Sequence, residues 1–157
     1  MISKRDSSDP NIYNIVRKVK EELGCKVIYI GTNAVDPTDN DAAYMGGHIG
    51  PLEFLQLMEN ASFVITTSFH GTAFATIFHK PLFSVVQDTE PEDGRMQTLL
   101  NALGQKDSLV YYKSDVSASL IHSDTIIAKE DHLNSIRQSS EQLLMNSINK
   151  IRHGKNN

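Results

Sequence analysis

Ser68, His70, Gly71 and Thr72 bring two hydroxyls, an imidazole and a residue without a Cβ into one short run, Thr67-Ser68-Phe69-His70-Gly71-Thr72. Such a grouping suits an anion. The first turn of a helix carries backbone N–H groups without intrahelical partners, together with the positive end of the helix dipole. A histidine there gives and takes a proton near neutral pH. Ser68 and Thr72 add hydroxyls, and Gly71 lets a ligand approach the backbone closely. Further along, Arg95 carries a planar fork of donors able to clamp a carboxylate or a phosphate. Plainer readings stand beside these: Ser68 as a helix cap only, His70 as a structural histidine, Arg95 as a surface cation paired with Glu92 or Asp93.

The elements that must position these residues are legible around them. Phe63, Val64 and Ile65 form a short apolar run of the kind that is buried on both faces of a parallel sheet. Ser68 caps a helix in which Phe69, Ala73, Phe74 and Ile77 recur at helical spacing, and Pro81 precedes a second strand, Leu82 to Val86. The unit is βαβ, with His70 at the strand-to-helix turn, on the edge where ligands of open α/β sheets bind. Upstream, Asp9 and Pro10 open an amphipathic helix with Ile12, Ile15, Val16, Val19 and Leu23 inward, closed by Gly24; Lys26 to Ile30 is then a strand. No strand precedes that helix. The chain reads as though a βαβ series had been cut just upstream.

Gly31 to Gly50 is predicted to be a long connection. Its aspartates lack the ligand spacing of an EF-hand and read as a solvated loop, with Gly47 and His48 as loop contacts to a ligand crevice. Pro51 opens a short helix. The acidic run Gln87 to Gly94 leaves the carboxyl end of a strand, and Met96, Leu99, Leu100 and Leu103 mark the helix that Arg95 begins, closed by Gly104. Leu109 to Tyr112 reads as an edge strand and Asp131 to Arg152 as a long amphipathic helix, while Asp115 to Lys129 is ambiguous. Residues 1–8 form a polar leader, residues 9–153 one α/β domain, and residues 154–157 a tail.

At 157 residues, 39% apolar and 22% charged, the chain is long enough to bury a core. A net charge of −4 leaves no basic stripe for nucleic acid. The single Cys25 forms no internal disulfide, no signal peptide opens the chain, and no stretch approaches the roughly 20 apolar residues of a membrane span; a cytoplasmic location is expected. Neither a metal site nor a cofactor is indicated.

Gly50-Pro51-Leu52-Glu53-Phe54-Leu55, Asn60 to Phe74 with its Ser-Phe-His-Gly core, Lys80-Pro81-Leu82-Phe83, Gly94 to Gly104 and the Ser139 to Leu144 helix together resemble the polysaccharide pyruvyl transferase family. The resemblance implies a Rossmann-like parallel sheet flanked by helices, the C-terminal, donor-binding half of a transferase with glycosyltransferase-B-like architecture. Such enzymes move the pyruvyl unit of phosphoenolpyruvate onto two hydroxyls of a saccharide acceptor as a ketal, releasing phosphate, in surface or exopolysaccharide biosynthesis. His70 falls on the family's motif histidine, an acid/base catalyst; Ser68, Gly71, Thr72 and Arg95 would bind the donor. With the N-terminal domain of the family pattern absent, the chain alone is expected to be weak or inert, and the face that domain covers would favour self-association. Two alternatives are the corresponding half of a sugar-nucleotide glycosyltransferase, and a non-catalytic α/β interaction module.

Overall fold

The computed structural model describes residues 11–31, 36, 38–46, 49–87 and 94–154. The polar leader, the Asp9-Pro10 helix start and the loop positions Gly47 and His48 lie outside the described residues. Helix α1, Asn11–Leu23, buries Ile12, Ile15, Val16 and Val19 along one face, and Gly24 ends it at φ +60°, a conformation that glycine adopts without steric cost.

Among the described residues, five strands form two parallel sheets. In the first, β1 (Ile28–Ile30) pairs with β2 (Ala43–Met45), aligning Ile28 with Ala43 and Ile30 with Met45. Strand β2 lies inside the stretch expected to be a structureless connection, so that reading is corrected. All three of its residues are exposed and none is β-branched, so the strand is made by its backbone pairing and carries no apolar alternation.

The second sheet has the order β3-β4-β5, built from Val64–Thr66, Leu82–Val86 and Leu109–Tyr111, with Thr66 beside Ser84 and Val86 beside Tyr111. The fold is therefore α/β with open parallel sheets and flanking helices, as expected, and β5 is an edge strand. Every residue of the central strand β4 is buried, Ser84 included, as expected of a strand whose two faces are covered by helices. Phe83 and Val85 join Phe63 and Ile65 in a core with the apolar stripe of α1; the rings of Phe63 and Phe83 meet edge to face at 4.9 Å. Leu82 and Val64 turn the other way, onto Met58 of α2 (Pro51–Asn60) and Ala75 of α3 (Phe69–Ile77).

Helix α3 stops where Lys80 N–H bonds Ala75 O at 2.8 Å and His79 N–H bonds Thr76 O at 3.0 Å, with His79 in the left-handed region at φ 50°. The ring of His79 is tied across to Ala128 O through Nδ1 and to Glu130 through Nε2. Helix α4, Gly94–Ala102, is followed by Gly104 at φ +70°. The ambiguous segment resolves into α5 (Ala118–Ile121) and a 3-10 turn (Asp124–Ile126), each capped by a serine hydroxyl, Ser117 and Ser123. Helix α6, Glu130–Gly154, buries Leu133 and leaves Leu143, Leu144, Met145 and Ile151 exposed. Because β3, β4 and β5 are parallel, β3 and β4 both deliver the chain to one edge: β3 to the start of α3, β4 toward α4.

Candidate active site at the N-terminus of α3

The chain leaves β3 at Thr66, and the Ser68 amide donates to Thr66 Oγ1 at 3.1 Å, bending the backbone into the helix. Ser68 is the N-cap: its backbone is extended, its Oγ accepts from the Gly71 amide at 3.4 Å, and its carbonyl accepts the first helical bond, from Thr72, at 2.9 Å. Among the described residues, the amides of Phe69 and His70 have no acceptor. The helix therefore presents, among the described residues, two N–H groups without an acceptor and its positive dipole end at the same edge as the imidazole of His70, which is exposed.

Gly71 and Thr72 each make contacts inside the fold. Gly71 is buried, and a Cβ at this position would lie 2.3 Å from Thr66 Oγ1; what its missing side chain admits is the strand beneath. Thr72 is fully buried, and its hydroxyl bonds Ser68 O at 3.1 Å and Ser84 Oγ at 2.8 Å. Both residues seat the helix that carries His70. Ser84 Oγ also meets Met96 Sδ at 2.8 Å, which pins the first turn of α4 to the same buried point.

That anchor places Arg95, the residue before Met96. Its guanidinium carbon lies 5.5 Å from the centroid of the Phe69 ring, and the His70 ring stands 6.0 Å from the same ring at 81°. The structure thus brings both His70 and Arg95 against Phe69, a residue whose sequence context shows only the apolar spacing of the helix. Its position beside His70 was the available signal; the approach of α4 was not encoded locally. Glu92 and Asp93, the other partners considered for Arg95, lie outside the described residues. Among the described residues no group of three His, Cys, Asp or Glu side chains could hold a metal ion.

A second polar cluster lies away from this edge and corrects the reading of the aspartate-rich stretch as solvated. Asp36 is buried, its Oδ1 accepting from the Thr38 amide at 2.9 Å and hydroxyl at 2.6 Å, with Arg17 Nε 3.4 Å from Oδ2. Burial pushes its carboxyl upward, but the Thr38 bonds and the charges of Arg17 and Lys20 outweigh this and hold it below the usual value near 3.8. Tyr29 is pushed up to about 12, first by burial and then by Asp36 and Asp39. The depressed carboxyl contributes stability above its unfolded value that is lost as pH falls through its folded value; the raised phenol contributes stability below about pH 10 that is lost between about 10 and 12. Urea midpoints measured against pH should therefore show a flatter acid limb in Asp36→Asn and a flatter alkaline limb in Tyr29→Phe; limbs unchanged from wild type would remove the cluster from the stability profile.

The family model of polysaccharide pyruvyl transferase matches residues 3–89, more than half of the chain. The chain belongs to the polysaccharide pyruvyl transferase family. No curated protein and no solved structure matches it. The matched span of this pyruvyl transferase family member contains β3, the whole of α3 and β4, and so includes Ser68, His70, Gly71 and Thr72; Arg95 lies beyond it. Membership makes a transferase acting on a donor and a saccharide the coarse assignment. No helix among the described residues is long and apolar enough to cross a membrane.

Proposed function

We propose that this edge of the chain binds the donor of a polysaccharide pyruvyl transferase, phosphoenolpyruvate, whose pyruvyl unit is passed to two hydroxyls of a saccharide as a ketal in exopolysaccharide synthesis. The observation that carries the reading is the exposed imidazole of His70 beside the first-turn amides of α3, which have no acceptor among the described residues, with Arg95 against the Phe69 ring. The donor has a carboxylate and a phosphate, and a helix N-terminus together with an arginine suits both.

The chemistry assigns His70 its task. The enol methylene of the donor gains a proton and becomes a methyl group, a first sugar oxygen bonds to the adjacent carbon, and a second displaces phosphate from it. Each hydroxyl gives up one proton; one of the two is balanced by the proton gained at the methyl carbon, and the other leaves with phosphate. A histidine works in both directions near neutral pH, as these transfers require. Ser68, Gly71 and Thr72 take part by shaping the turn. The donor is a metabolite of the cytoplasm, where we place the reaction.

Thermal-shift titration tests the reading with phosphoenolpyruvate, inorganic phosphate and uridine diphosphate sugars, on wild type and His70→Ala. A ligand at tenfold excess over its Kd stabilises the folded state by about 1.4 kcal/mol, roughly 3–6 °C for a chain of this size. Stabilisation by phosphoenolpyruvate above that by phosphate, and lost in His70→Ala, is the expected result. Equal stabilisation of both proteins, or a response to nucleotide sugars instead, would overturn it.

A further inference from the structure

Phe69 occupies the first position of α3, next to the N-cap, yet it contacts both side chains proposed to meet the donor. Its ring lies 5.5 Å from the Arg95 guanidinium carbon and 6.0 Å from the His70 ring, and it is half-buried while both partners are exposed. Arg95 comes from a different helix, 26 residues further along the chain. An exposed arginine samples many rotamers, and an anion that needs it in one place must overcome that freedom. An acidic partner would hold the side chain but cancel its charge and occupy its donors. An aromatic face draws the cation through its quadrupole and leaves both the charge and the donor fork to serve a ligand.

We propose that Phe69 is a positioning residue for anion binding: its ring holds Arg95 against the N-terminus of α3, so that a carboxylate or phosphate there meets the first-turn amides and the guanidinium together. The inference rests on the donor-binding reading above and adds to it the residue that joins the two halves of the site. It also explains why an apolar ring sits, only half covered, at the start of a helix facing solvent. A leucine would serve packing as well, whereas the electrostatic role requires an aromatic ring.

Two measurements test this. The first needs no ligand: the Arg95 Nε–H cross-peak in a nitrogen–proton NMR spectrum should carry a ring-current shift that Phe69→Leu removes and Phe69→Tyr retains. The second is a four-member cycle of wild type, Phe69→Leu, Arg95→Ala and the double variant, titrated with inorganic phosphate and with phosphoenolpyruvate. Phe69→Leu should weaken binding by about two- to fivefold, the range of an exposed cation–π contact, and have no further effect once Arg95 is gone. Phe69→Tyr should bind as wild type does. An equal loss on Phe69→Leu in both backgrounds would mean the ring acts through packing, and would overturn the proposal, as would a cross-peak indifferent to Phe69. Failure of wild type to bind either probe would instead fall on the donor-binding reading, with the cross-peak still deciding whether Phe69 holds Arg95.

Discussion

Gly71→Ala should destabilise the protein by about 2 kcal/mol, against the sign usual for glycine in a helix. In an open helical position alanine gains about 1 kcal/mol over glycine. Here the new methyl would stand 2.3 Å from Thr66 Oγ1, 3.1 Å from its Cβ and 3.3 Å from its Cγ2. Thr66 is fully buried, and its Oγ1 accepts the Ser68 amide that starts the turn, so it cannot rotate away without leaving that amide unpaired. Overpacking of this kind costs up to about 3 kcal/mol and exceeds the helical gain. The midpoint of thermal unfolding should fall by roughly 4–8 °C. Thr66→Ala removes two of the three clashing atoms, so the double variant should be more stable than the sum of the two single losses predicts. A Gly71→Ala protein more stable than wild type would mean that α3 does not rest on Thr66.

Met96→Ala should cost more, about 3 kcal/mol, within the range for truncating a buried methionine. Met96 is 4% exposed and fills the space between α3, β4 and α4, where its sulfur meets the hydroxyls of Ser84 and Thr72. Those hydroxyls also bond each other at 2.8 Å, so neither is orphaned when the sulfur goes. Met96→Leu keeps the volume and loses only the sulfur, and should cost less than about 1.5 kcal/mol. Urea denaturation of the two variants separates the effects: similar losses would mean the sulfur contact matters and the cavity does not. Met96→Ala should also weaken phosphate binding at saturating fold, because the residue before it, Arg95, loses its anchor.

The fold is legible in the residues where local chemistry and tertiary structure ask for the same thing. Phe63 to Val86 announces its strand, cap, helix and strand because Ser68, Pro81 and the mostly apolar segment Leu82 to Val86 each favour the conformation that the core also favours. Gly24 and Gly104 mark helix ends by the positive φ they adopt. Three features escaped. Strand β2 is specified by pairing with β1 and has no inward face to leave a pattern. Asp36 looks like any loop aspartate until Thr38 and Arg17 close around it. At the candidate site, His70 stood out by type, whereas the partnership of Phe69 with Arg95 depends on where α4 docks. Gly71 and Thr72 were singled out for what they would offer a ligand; their surroundings show them holding α3 to Thr66 and Ser84, contacts made by residues that no spacing rule connects to them.

Each strand of the second sheet pairs with its neighbour in sequence, and this sets the order in which the sheet is completed during synthesis. Strands β3 and β4 with α3 between them can close as soon as Val86 has emerged, since the loop to be closed is short. Strand β5 ends about 25 residues later, at Tyr111, an interval on the order of 1–5 s at ~5–20 residues per second. Throughout that time Leu82–Val86, the strand most deeply covered in the finished protein, stands as a growing chain's open edge, with unpaired backbone groups and low charge. The nascent βαβ unit is thus at its most adhesive shortly before β5 seals it.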